Sequence, residues 1–126
     1  MDINLGNMHP TRLQADLLCN IYFRNSDPFI KLVHKTRFIF DLEQFRQGVL
    51  DHSARFEALL FAIYGLATMS MSHEYITTHF SGETRINLLS RFQMATELAL
   101  TRLNFLRSHT LVTLQAFLLY LVRLRS

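Results

Sequence analysis

The sequence RFEALLFAIYGLATMSM, at residues 55–71, is apolar around nearly its whole circumference when it is read as a helix. Only Arg55, Glu57 and Thr68 are predicted to favour water. A helix that is apolar on every face is buried inside a bundle. We therefore expect a central helix over residues 54–72, with other helices packed around it.

Helical periodicity continues through the rest of the chain, and no segment alternates with the period of a strand. Glycine and proline, which interrupt helices, number four and two. The predicted fold is all-α: an irregular bundle of about six to seven helices that is part of a larger helical domain. Outside the central helix, the predicted helices cover residues 11–24, 28–34, 37–50, 73–80, 83–106 and 110–123.

Capping residues set several of the predicted helix boundaries. Asp27 followed by Pro28 is typical of an N-cap and a first helical position, where the missing N–H of proline costs nothing. Thr36 is predicted to cap the segment 37–50, and Ser72 the short segment that follows the central helix.

Composition indicates one folded domain. The 126 residues are 49% apolar and 18% charged, with a net charge of +3, and this balance excludes global disorder. We expect residues 1–10 to form a flexible N-terminus and residues 11–126 to form a single helical domain. No apolar run approaches the length of about 20 residues that a membrane span needs, so no membrane partner is expected.

The last predicted helix lies within LVTLQAFLLYLVRLR, residues 111–125. A helix this apolar needs cover on most sides, and the earlier helices can cover only one of them. We expect the remaining cover to come from further chain or from a second subunit, as a homodimer or heterodimer. The candidate interface residues are Leu114, Phe117, Leu118 and Leu121.

The residues that usually perform chemistry are sparse. Cys19 is the single cysteine, which excludes a disulfide and a zinc site built from thiolates. The six histidines include no pair spaced by three or four residues, so no helical metal site is predicted and the expected roles are capping or solvent exposure. The sequence has no glycine-rich phosphate loop and no paired carboxylates. We expect no catalytic residue, no bound metal and no cofactor, and therefore no enzyme.

Direct DNA binding is not expected either. The arginines are dispersed singly, without the clustering that marks a nucleic-acid surface, and a solvated helix face explains them better.

Three stretches, read in order, resemble a known family. They are IYFRNSDPFIKLVHKTRF at residues 21–38, FEALLFAIYGLATMSMSHEY at residues 56–75, and LLSRFQMATELALTRLNFLRSHTLVTLQAFLLYLVRLR at residues 88–125. Each stretch alone is a helical pattern, but together they resemble the fungal-specific transcription factor domain. This domain is the all-helical middle homology region found downstream of zinc binuclear cluster DNA-binding domains.

The resemblance implies a nuclear gene-regulatory protein in which this region acts as an interaction or regulatory module. Members of the family often control secondary-metabolite or catabolic gene clusters. Asp27, Pro28, Lys31 and His34 match the family signature and are carried over as structural positions.

Departures from the family pattern limit what carries over. The DNA-binding domain of the family uses six cysteines to hold two zinc ions. This chain has one cysteine, so the zinc cluster is absent from it. Lys35 stands where the family often has proline. Family members also continue well beyond the Thr-Leu-Gln-Ala helix, so the chain is expected to be a truncated form without its own DNA-binding domain. The alternatives are a stand-alone helical adaptor, a small-ligand-binding module, or a non-functional remnant of a longer regulator.

Overall fold

The computed structural model of the chain describes residues 5–26, 33–50, 53–80 and 82–103. All regular secondary structure in these ranges is helical and none of it is strand, so the all-α prediction is confirmed for them. A 3-10 turn at Leu5–Met8 precedes the first helix, and a π-helical turn at Tyr22–Ser26 follows it. The helices are α1 (Arg12–Ile21), α2 (Lys35–Arg46), α3 (Ser53–Met69), α4 (His73–His79) and α5 (Arg85–Leu103).

The predicted count of six to seven helices is slightly more than the five found in the described ranges. The last predicted helix, residues 110–123, lies outside those ranges. Of the predicted helix 28–34 only the last two residues are described, and neither is helical. Val33 lies in a bend, and His34 precedes the first turn of α2 as its N-cap.

Helix α3 is the centre of the fold, as its composition predicts. Every residue from Ala58 to Thr68 is buried. Helix α3 packs most extensively against α5 and then against α1, while α2 touches it over a smaller area. The 3-10 turn packs against α5, so Leu5 joins the same core.

Two threonines lie inside this core. The prediction that Thr68 favours water is wrong, because its side chain is fully buried. The Thr68 hydroxyl donates to the carbonyl oxygen of Tyr64 at 2.7 Å, and Thr96 in α5 donates in the same way to Phe92 at 2.7 Å. A hydroxyl that bonds to its own helix one turn back needs no water, so it tolerates full burial.

Helix α2 begins earlier than its sequence predicts. The ring nitrogen Nδ1 of His34 accepts the backbone N–H of Arg37 at 3.3 Å, and this contact replaces the cap expected from Thr36. At the other end, Gly48 has a φ of 74°, a left-handed conformation that glycine adopts without strain. The predicted cap at Ser72 is confirmed, since its hydroxyl accepts the N–H of Tyr75 at 3.1 Å.

One arginine connects α5 to the end of α3. Arg85 donates from Nη2 to the carbonyl of Met69 at 2.8 Å and from Nε to the carbonyl of Met71 at 3.2 Å. The final carbonyls of a helix have no partner within it, and a cationic donor satisfies them while complementing the helix dipole. Arg85 therefore caps α3 from a distant point in the sequence.

No described helix has both the length and the hydropathy needed to cross a bilayer.

Candidate functional site

A concave feature of the described structure lies between α1 and α2. Both helices pack on α3, yet they make few direct backbone contacts with each other. The space between them holds a hollow of about 520 Å³. Its apolar floor includes Phe23, Phe38 and Leu42. We call this space the α1–α2 cleft.

A single helical face of α1 and its following turn forms one wall of the cleft. The residues on this wall recur at the spacing of successive helical turns. They are Asp16, Cys19, Asn20 and Phe23 at this hollow, and Arg12 and Ala15 at a smaller adjoining hollow.

Helix α2 forms the other wall with the same periodicity. Phe40 lines the rim outside this pattern, and the other six wall residues recur at the spacing of successive turns. They are Lys35, Phe38, Ile39, Leu42, Glu43 and Arg46.

An ion pair crosses the cleft near one end. Arg46 Nη2 lies 2.7 Å from Asp16 Oδ1, and the arginine side chain is the more buried of the two. A second hollow of about 320 Å³ lies against His9, Pro10 and Tyr64 and shares Leu42 and Arg46 with the first. The cleft therefore extends to both sides of the Asp16–Arg46 bridge.

Aromatic rings support the floor at the other end. The Phe23 and Phe38 ring centroids are 5.4 Å apart, and Phe38 in turn lies 5.3 Å from Phe56 of α3. The Lys35 ammonium lies 5.9 Å from the Phe23 ring centroid, within the range of a cation–π contact. This end of the cleft is thus an aromatic platform with a positive charge above it.

The α2 rim of the cleft exposes apolar surface. Ile39 is 53% exposed and Phe40 is 57% exposed, and both side chains belong to the hollow's lining. Large apolar side chains that remain in water next to a concave surface are typical of interaction sites.

Cys19 is unsuited to nucleophilic chemistry. Its side chain is buried, and this burial raises the pKa of the thiol from 9.0 to about 12; the Arg46 charge opposes the shift only in part. The thiolate is the reactive form, so a thiol that stays protonated at neutral pH is a poor nucleophile and a poor metal ligand. Burial likewise raises the pKa of the Tyr64 hydroxyl at the edge of the second hollow.

His9 closes the end of the second hollow. Its Nε2 lies 2.6 Å from Glu57 Oε2, and its ring stacks on Phe61 with centroids 4.3 Å apart. Both members of the pair are about one-fifth exposed. The contact holds the segment before α1 against α3. The sequence gives no sign of it, because the two residues are 48 positions apart.

The other described histidines follow the predicted capping and surface roles. His34 caps α2, and His79 stacks on Tyr75 at 4.0 Å on the exposed side of α4. In the parts of the chain that the structure describes, no group of three or more histidine, cysteine or carboxylate side chains could hold a metal ion.

Most residues singled out from the sequence lie elsewhere. Among the signature positions, His34 alone is described, while Asp27, Pro28 and Lys31 fall outside the described ranges. The candidate interface residues, Leu114, Phe117, Leu118 and Leu121, also lie outside them. The cleft itself was not predicted. The signal that points to it is the pair of apolar residues Ile39 and Phe40, which directly follow Phe38 in the predicted helix 37–50.

Comparison with known proteins identifies relatives of nearly the whole chain. A transcription factor of the aurofusarin cluster in Gibberella zeae is 35% identical over 93% of the chain. A transcription factor of the pyriculol/pyriculariol biosynthesis cluster in Pyricularia oryzae is 35% identical over 98% of it. A C6 finger domain transcription factor of Arthroderma gypseum is 38% identical over 86%.

The chain is homologous to fungal C6 finger transcription factors. The resemblance inferred from the three sequence stretches is therefore confirmed. The chain spans only 16–17% of the length of these three relatives. No family model matches the chain, and no solved structure matches it.

Proposed function

We propose that the chain is a regulatory module of a fungal transcription regulator that controls a secondary-metabolite gene cluster, and that it acts by binding protein partners. The observation that supports this most directly is the alignment of 93% and 98% of the chain with regulators named for biosynthetic clusters. The relatives reported above are all named as transcription factors, which favours a binding role over catalysis. Such a module works in the nucleus.

Removing the coding sequence from its host and measuring all transcripts tests this proposal. We expect coordinated changes in a contiguous set of biosynthetic genes, and restoration by the intact chain. A transcript profile that is unchanged under conditions where the chain is expressed would overturn the proposal.

A further part of the proposal concerns self-association or pairing with a longer relative through residues 111–125. This part rests on the sequence, in which the pattern of Leu114, Leu118 and Leu121 is too apolar for a solvated helix. Replacing Leu118 and Leu121 with glutamate should abolish pairing, measured as molar mass by light scattering. Circular dichroism distinguishes loss of pairing from loss of folding, and pairing that survives in a folded double variant contradicts the interface.

A further inference from the structure

We propose that the α1–α2 cleft binds an amphipathic partner helix that has one apolar face and acidic residues near both of its ends. This inference rests on the proposed function, because it states what kind of partner the interaction module takes.

The dimensions of the cleft suit a helix. Helix α1 has 10 residues and α2 has 12, which correspond to lengths of about 15 and 18 Å at the rise of an α-helix. Both walls present side chains at the spacing of successive helical turns along this length. A groove of this length accommodates about three turns of a docked helix and would bury the apolar stripe of that helix.

The distribution of apolar surface favours an elongated partner over a compact one. Phe23, Phe38 and Leu42 lie at the floor of the cleft, whereas Ile39 and Phe40 lie exposed on its rim. Ile39 and Phe40 line the hollow but remain more than half exposed, so a small molecule that only fills the hollow would leave their outer parts in water. A helix resting on the α2 wall would cover both.

The charged side chains at the two ends of the cleft determine which charge a partner should carry there. Asp16 and Arg46 neutralise each other across the cleft. The Glu43 carboxylate on the α2 wall accepts a hydrogen bond from the Gln47 side chain at 2.9 Å. Because Asp16 of α1 meets Arg46 at the end of α2, while Phe23 meets Lys35 at its start, the two walls run antiparallel. Arg12 and Lys35 therefore lie toward opposite ends, and both are exposed cations. Acidic residues at the two ends of a bound helix would pair with them.

A designed peptide tests this inference on the full chain. The probe is a fluorescent peptide of about 15 residues with leucines spaced as one helical face and glutamates at both ends. One control peptide has the same composition with the leucines dispersed around the helix. A second control peptide has lysines in place of the glutamates. Binding is measured by fluorescence anisotropy.

Ile39→Asp and Ile86→Asp form a matched pair of variants. Both isoleucines are exposed on helices, but Ile86 lies on α5, away from the cleft. We expect saturable binding of the acidic peptide that weakens by about tenfold or more in Ile39→Asp and by less than about twofold in Ile86→Asp. Lys35→Glu should reverse the preference between the glutamate and lysine peptides. If Ile39→Asp unfolds by circular dichroism, Ile39→Ser replaces it.

Several results would overturn the inference. The first is that the acidic peptide does not bind saturably. The second is that the dispersed-leucine control binds equally well, and the third is that the two isoleucine variants have equal effects. A chain that is dimeric without peptide, and that Ile39→Asp alone makes monomeric, would assign the cleft to a second copy and would also overturn it. None of these results alters the transcript measurement, so failure of the cleft and failure of the proposed function remain distinguishable.

Discussion

Helices α2 and α3 contain similar kinds of apolar residues but differ in what surrounds them. Helix α3 buries every side chain from Ala58 to Thr68, whereas α2, with 12 residues, buries only Phe38, Asp41 and Leu42. Helix α3 is held on several sides by its neighbours, and α2 touches the core along one narrow stripe. The comparison indicates that α3 stabilises the fold, while α2 presents apolar side chains to a partner.

The largest expected difference between the two helices comes from a matched pair of phenylalanine truncations. Phe61 in α3 is fully buried, and Phe40 in α2 is 57% exposed. Phe61→Ala should lower the free energy of unfolding by about 3–5 kcal/mol, because it removes transfer energy and leaves a cavity. Phe40→Ala should change it by less than about 0.5 kcal/mol. Urea unfolding followed by circular dichroism measures both, and similar losses would contradict the assignment of roles.

The next effect concerns the end of α3. Arg85→Ala removes two donors from the carbonyls of Met69 and Met71, and should cost about 1–3 kcal/mol of unfolding free energy. Arg85→Lys keeps the charge but not the forked geometry, so an intermediate loss is expected. Arg12→Ala, an exposed arginine on α1, is the control and should be nearly neutral. Equal losses for Arg12 and Arg85 would mean that the distant cap adds nothing to α3.

The pH dependence of unfolding tests whether Cys19, on the cleft wall, is shielded from water like a core residue. Burial raises the pKa of its thiol from 9.0 to about 12, so the unfolded chain releases this proton at a lower pH than the folded chain. Stability should therefore fall as pH rises between these values, by about 1.4 kcal/mol per pH unit. Unfolding at pH 8 and pH 10 should show a larger loss in the unmodified chain than in Cys19→Ala, in which the buried Tyr64 hydroxyl still contributes a smaller loss of the same sign. The same pH dependence in both proteins would indicate that the thiol is accessible to water.

The His9–Glu57 contact joins the segment before α1 to α3, and its strength is expected to be moderate. A double-mutant cycle with His9→Ala and Glu57→Ala should give a coupling energy of about 1 kcal/mol, because the contact is a short hydrogen bond between two partly exposed groups. A coupling energy near zero would mean that the stacking of His9 on Phe61 alone holds the segment.

The smallest effect belongs to the bridge across the cleft. The Asp16 side chain is 48% exposed, so Asp16→Asn should lower the unfolding free energy by about 0.2–1 kcal/mol. The same variant should alter peptide binding at the cleft more than it alters stability, because it leaves Arg46 without its carboxylate. A large stability loss would show that the bridge is part of the core and that α2 is less independent of α1 than the packing indicates.

Sequence patterns predicted the central helix well because its composition leaves no solvent-facing stripe. They were less informative for amphipathic helices, where neighbouring positions differ in exposure. Leu13 has the helical spacing of the apolar residues Leu17 and Ile21 on α1, yet it is 83% exposed. Ile39 and Phe40 directly follow buried Phe38, but each step along a helix turns the side chain by about 100°, so these two residues point away from α3.

Long-range polar contacts could not be predicted from sequence patterns. The pairing of His9 with Glu57, and of Arg85 with the end of α3, depends on how distant segments meet. The burial of Thr68 depends on a hydrogen bond within its own helix that a polar residue type does not reveal. The cleft was missed for a related reason, since it is formed by the distance between two helices and by neither helix alone.

The Arg85 cap has a consequence for local unfolding. By joining Met69 and Met71 to the start of α5, it holds together the two ends of the segment 72–84, which contains α4. Helix α4 has seven residues, too few to be stable alone, so we expect opening of this loop, with release of the buried Ile76 and Phe80, to need less free energy than separation of α3 from α5. Amide protons of α4 should then exchange with solvent well before those of its neighbours. The entropic cost of closing a loop grows slowly with its length, so the segment 72–84 should tolerate inserted residues well.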